Sequence, residues 1–197
     1  MKNIIPSLVA AVLAAFNCVA PAAEAGKGPL KAEIIVGKDT YELDPAAAGK
    51  DFAEKLRAAE KQGPVPARPP KVNLSLRLSN LDTQPVTINV GADSSKLELD
   101  LQGPGAVNLQ PRVMMTREFR MGQPVTIEPG KSYDLPIESL SSGMRGITKL
   151  SYWTETGEYT LTASYTSGDR GAGAVTAKAD PVKLKVVEAG KAPKSSN

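Results

Sequence analysis

The stretch Gly157-Glu158-Tyr159-Thr160-Leu161-Thr162-Ala163-Ser164-Tyr165 leaves the chain little choice of conformation. Tyr159, Leu161, Ala163 and Tyr165 fall on one side of an extended backbone, and Thr160, Thr162, Ser164 and Thr166 fall on the other. A period of two in β-branched and aromatic residues is the pattern of a strand with one face buried.

The same alternation recurs. Val72, Leu74, Leu76 and Leu78 alternate with polar residues, then Val86, Ile88 and Val90, then Leu97, Leu99 and Leu101. Val125 and Ile127, Tyr133, Leu135 and Ile137, and finally Val182, Leu184 and Val186 continue the series. Turn-forming clusters separate these runs: Asn80 to Pro85, Gly103-Pro104-Gly105 and Glu128-Pro129-Gly130-Lys131. Val107 to Pro111 adds a short strand, and Lys31 to Leu43 a first strand or pair. Ser139 to Lys149 and the glycine-rich Thr166 to Ala179 read as loops. The expected class is all-β: an antiparallel β-sandwich of seven to eight strands over residues 71–188.

One segment departs from this pattern. Residues 45–62 are helix-friendly, with Phe52, Leu56 and Ala59 at helical spacing, Asp44 placed to cap and Pro45 at the first helical position. The apolar face is narrow, so a short helical insertion on the sandwich edge is expected, a mobile insertion being the alternative. Gly63 to Pro70 carries four prolines and reads as a stiff extended linker, which closes an N-terminal region of residues 26–70.

The ends read differently. Lys2, the apolar run Leu8 to Ala15 and Ala23-Glu24-Ala25 have the form of a signal peptide over residues 1–25, which implies a secreted or periplasmic protein starting at Gly26. The run is shorter than the roughly 20 residues of a membrane span. Cys18, the only cysteine, falls inside this segment; Phe16-Asn17 before it departs from the lipoprotein pattern. Ala189 to Asn197 has the composition of a disordered tail.

Composition removes whole classes of chemistry. The chain has no histidine, which excludes Ser-His-Asp triads and His-dependent zinc sites. Cleavage after Ala25 would leave no thiol for nucleophilic or iron–sulfur chemistry. The carboxylates are scattered and form no local acid/base pair or EF-hand loop. A formal charge of +3 with dispersed Lys and Arg and few aromatics does not indicate a nucleic-acid face. No catalytic residue, metal ligand or cofactor is expected.

Three motifs carry a resemblance: Asn80-Leu81-Asp82-Thr83-Gln84-Pro85-Val86, Glu128-Pro129-Gly130-Lys131-Ser132-Tyr133 and Gly157-Glu158-Tyr159-Thr160-Leu161. Residues 71–188 resemble the Ig-like or fibronectin-III-like sandwiches of secreted bacterial proteins, and the order of elements is similar to the BsuPI-type proteinase inhibitor domain. The resemblance implies that Tyr159 stands at the corner leading into strand F, buried with its hydroxyl bonded to upstream backbone. It transfers no functional residue, and the helical insertion departs from it.

Two places are candidates for binding. Pro111 to Met121 holds Arg112, Met114, Met115, Arg117, Phe119, Arg120 and Met121 between two strand signals. Arg and Met are enriched at protein interfaces, which makes Arg112, Met115, Arg117, Phe119 and Arg120 a candidate partner surface. The competing reading is an edge strand whose Val113, Met115 and Phe119 or Met121 fill the core. Tyr152 and Trp153 are a candidate stacking platform for a sugar, or packing against the sheet. These features lead to an exported, non-enzymatic module that binds a protein or a glycan of the envelope or exterior. A proteinase inhibitor, a carbohydrate-binding module and a His-free carboxylate enzyme are the alternatives.

Overall fold

The computed structural model describes residues 28–62, 64–111, 120–144, 147–168 and 174–190. Residues 1–27, with Cys18, and the tail from residue 191 lie outside them. The fold is mostly β, with one α-helix among the described residues.

The strands are β1 (Leu30–Val36), β2 (Thr40–Leu43), β3 (Lys71–Asn80), β4 (Val86–Val90), β5 (Lys96–Gln102), β6 (Ala106–Leu109), β7 (Gln123–Ile127), β8 (Ser132–Ser139), β9 (Ser141–Met144), β10 (Ile147–Trp153), β11 (Gly157–Ser167), β12 (Val175–Lys178) and β13 (Val182–Glu188). The helix α1 is Lys50–Gln62, preceded by a 3-10 turn at Pro45–Ala47. Of the thirteen strands among the described residues, eleven lie within residues 71–188, more than the seven or eight expected there. The surplus includes short strands in stretches read as loops: β9 and the start of β10 fall within Ser139 to Lys149, and β12 within Thr166 to Ala179.

One sheet has the order β1-β3-β8; the larger has β2-β13-β11-β5-β9-β10-β6, with β12 also paired to β11. A third, two-stranded sheet pairs β4 with β7. Register shows that β4–β7 carries the β3–β8 ribbon onward. Ser79 faces Ser132, and after an interruption Val86 faces Ile127.

Asn80 secures that interruption. Its side-chain amide donates to the carbonyl oxygens of Gln84 and Ile127, each at 2.8 Å, and its Oδ1 accepts from the Asp82 amide at 2.8 Å. Its backbone exchanges bonds with Gly130 and Lys131. A fully buried Asn is tolerated because these bonds satisfy it. Among the described residues no buried side-chain polar atom lacks a partner.

The inward faces of the sheets share one core. Leu74, Leu76 and Leu78 of β3 pack in the same cluster as Leu99 and Leu101 of β5, Tyr159 to Tyr165 of β11, and Leu184 and Val186 of β13. The alternation read from the sequence is the alternation of burial along β3 and β11. An isolated parallel bridge between Ala32 and Ala179 joins β1 to the end of β12 and so links the two larger sheets.

The N-terminal region is part of this body. β1 pairs with β3 from Leu30↔Asn80 to Val36↔Leu74, and β2 lies parallel to β13 from Thr40↔Lys185 to Leu43↔Glu188. Asp44 caps the 3-10 turn, its carboxylate accepting from the Ala46 amide at 2.9 Å. The helix packs down rather than swinging free: Ala53 and Leu56 form a second, smaller core with Val107 and Leu109 of β6 and Tyr152 of β10. The buried stripe is Ala53 and Leu56, with Phe52 half-buried beside it; the expected Ala59 is only partly covered.

Candidate functional site

Tyr159 defines the centre from which the site is built. It is fully buried, and its hydroxyl lies within donating reach of two carbonyl oxygens, that of Glu155 at 2.7 Å and that of Pro104. This is the burial and main-chain bonding expected of a corner tyrosine. The ring demands room from its neighbour. Gly103 has φ +151°, and a Cβ there would stand 2.6 Å from the ring's Cδ1. Only glycine meets both conditions.

Trp153 extends the aromatic group outward. Its ring centroid lies 6.1 Å from Tyr159 and 5.3 Å from Tyr41 of β2, in tilted arrangements. Tyr41 is fixed in turn: its hydroxyl accepts from the Asn73 amide at 3.0 Å, and Lys38 Nζ sits 5.6 Å from the ring centroid. Tyr152, next to Trp153, points into the smaller core and donates its hydroxyl to the Ala67 carbonyl at 2.8 Å. Tyr152 and Trp153 are therefore 1 % and 4 % exposed. A sugar platform needs an open ring face, and these rings spend their faces on packing; the alternative reading, packing against the sheet, describes where they are.

Outside these rings is a cleft of about 450 Å³. One wall is Tyr41 to Asp44 with Ala47, another is Ala67 to Lys71, and Tyr152 and Trp153 close the base. Both walls are held. The first is fixed by the β2–β13 ladder, by the Asp44 cap and by the Gly49 amide donating to the Thr154 carbonyl at 2.7 Å. The second is fixed by Tyr152 at Ala67 and by the Leu140 amide donating to the Pro70 carbonyl at 3.0 Å. The stretch read as a linker is thus, from Ala67 to Pro70, a pinned wall, and its prolines keep it extended.

Four charged side chains line the cleft: Glu42 and Asp44 on the first wall, Arg68 and Lys71 on the second. They are exposed, and no ion pair joins one wall to the other. Burial pushes the hydroxyls of Tyr152, at the base, and of Tyr159, packed against Trp153, up to about 12. Burial also raises Tyr41, partly offset by its bond from Asn73. These phenols stay protonated at neutral pH and serve as hydrogen-bonding groups rather than bases.

The other candidate surface is only partly visible. Arg112, Met115, Arg117 and Phe119 lie outside the described residues. Arg120 is exposed and anchored by its backbone, its amide donating to Asp93 Oδ2 at 2.9 Å and its carbonyl accepting from the Asp93 amide at 3.1 Å. Met121 is 88 % exposed, so it does not fill the core. Among the described residues no group of His, Cys, Asp or Glu is arranged to hold a metal ion, and no helix is long and apolar enough to cross a membrane.

Sequence reasoning singled out Tyr152, Trp153 and the prolines of the second wall but missed Tyr41, Glu42, Arg68 and Lys71. The proline run beside Arg68 and Lys71 was the one available signal. No protein-family model matches the chain, and no curated protein is detectably similar to it.

Proposed function

We propose that this chain is a non-enzymatic, exported module with an Ig-like β-sandwich architecture, which binds a protein or glycan partner of the envelope or exterior through the 41–47/67–71 cleft. The observation that carries this reading is the cleft itself. Its walls are held by backbone bonds and its base by packed aromatic rings, so its shape exists before any ligand arrives. The volume lies within the roughly 300–1,000 Å³ usual for ligand pockets. The buried corner tyrosine and the shared core of the sheets support the sandwich architecture. The leader-like residues 1–25 support export, and the absence of histidine supports a role in binding.

The test is to immobilise the exported chain beside an Ala47→Trp variant, which fills the cleft from an accessible wall. Both are exposed to envelope and secreted fractions of the source organism, with folding checked by circular dichroism. A partner bound by the first and lost by the folded variant supports the cleft. A partner retained by the variant moves the site elsewhere.

A further inference from the structure

The charges of the cleft are arranged as two separated pairs of opposite sign. Glu42 and Asp44 come from the end of β2 and the turn after it, Arg68 and Lys71 from the proline-bounded wall. Elsewhere in the fold opposite charges find each other, as Arg77 and Asp134 do at 2.7 Å and Lys149 and Asp100 at 2.8 Å. Here they do not. Neither Arg68 nor Lys71 forms an ion pair with another described residue. On the acidic side one oxygen of each carboxylate is committed to the backbone. Asp44 Oδ1 accepts from the Ala46 amide, and Glu42 Oε1 accepts from the Gly190 amide at 3.2 Å. Those bonds hold each carboxylate and leave its second oxygen unpartnered among the described residues.

Between the two pairs lies an apolar base of Tyr41, Tyr152 and Trp153. Because their ring faces are already covered, a sugar has no stacking surface there, whereas a small aliphatic group needs only contact.

We infer that this cleft takes a short free peptide, its ammonium group against Glu42 and Asp44 and its carboxylate against Arg68 and Lys71. The inference rests on the cleft being the binding site. An ammonium group donates three bonds and suits a pair of carboxylates, and a carboxylate accepts a forked pair from Arg68. A neutral oligosaccharide would leave both charged walls without a partner, and a ligand of single charge would be repelled by one of them.

The experiment uses the exported chain and follows its backbone and Trp153 indole NMR signals. The probes are tri-alanine, N-acetyl-tri-alanine, tri-alanine amide and the neutral sugar maltotriose. Free tri-alanine is expected to shift signals of Tyr41, Ala67 and Trp153, and blocking either end is expected to weaken it about tenfold or more. Two variants that remove the charge of one wall apportion the effect: Glu42→Gln with Asp44→Asn, and Arg68→Gln with Lys71→Gln. The first should bind free and acetylated peptide alike, and the second should bind free peptide and amide alike. Equal binding of blocked and free peptides by the unaltered chain overturns the inference. Shifts at the cleft with maltotriose but not with tri-alanine overturn the peptide class and leave the cleft as a site. No shift at the cleft with any probe overturns both.

Discussion

Tyr159 contributes more than the apolar area of its ring. Replacing it with Phe keeps the ring but removes the hydroxyl that donates to the Glu155 and Pro104 carbonyl oxygens beside it. The expected cost is about 1–3 kcal/mol, read as a lower urea midpoint at an unchanged slope. Tyr133→Phe, at a half-buried tyrosine outside this corner, should change the midpoint far less. Asn80 is the second residue of this kind. Asn80→Leu removes the donor to two carbonyls and the acceptor for an amide, and a loss of about 3 kcal/mol is expected in the same measurement. The two residues differ in legibility. Tyr159 announced itself, since a tyrosine opening an alternating strand has a known reason to be there. Asn80 looked like one more polar residue of a turn, because its partners at Gln84 and Ile127 are brought to it by the pairing of β4 with β7.

Elements with their own internal signal were readable, and elements made by their neighbours were not. β3 and β11 alternate over ten residues or more, and the helix shows a 3.6-residue period. β9 is Ser-Ser-Gly-Met, with no alternation at all. It is a strand because β10 pairs with it from Ile147↔Met144 to Leu150↔Ser141. Gly143 permits the crossing, with φ +119° and the Ile147 carbonyl oxygen standing where a Cβ would collide with it. The cleft was illegible for the same reason: Tyr41, Arg68 and Trp153 are far apart in the chain and meet only through the fold. The helix, in turn, has a core of its own. Leu56→Ala should cost about 2–5 kcal/mol within that cluster. Because the cluster is separate, hydrogen exchange should quicken first at α1 and β6 amides while β11 amides keep their protection. Uniform loss of protection across β11 would contradict this division.

At the scale of the molecule, the tyrosines set an alkaline limit. Tyr152 and Tyr159 ionise at about 12 in the folded state against an ordinary value of 10.0, because burial disfavours the phenolate. A raised pKa means that their contribution is complete below pH 10 and is lost as the pH climbs towards 12. Tyrosinate absorbance and loss of the far-ultraviolet β signal should therefore rise together in that interval, rather than ionisation preceding unfolding. The acid side differs in sign. The bond from Lys149 holds Asp100 below its ordinary value, so its contribution is present at neutral pH and fades as the pH falls through that lowered value. Partial exposure of both partners keeps it small.

The second and last strands of the described chain lie side by side, β2 parallel to β13, with the Lys185 amide donating to the Asp39 carbonyl at 2.7 Å. Tension applied between Thr40 and Glu188 would pull these neighbours in opposite directions along their length, so that their ladder is loaded in shear and its bonds share the force. A ladder pulled open from one end breaks one bond at a time at far lower load. Single-molecule pulling on attachment points at Thr40 and Glu188 should show a higher rupture force than pulling on attachment points placed across β3 and β8, whose antiparallel ribbon can unzip.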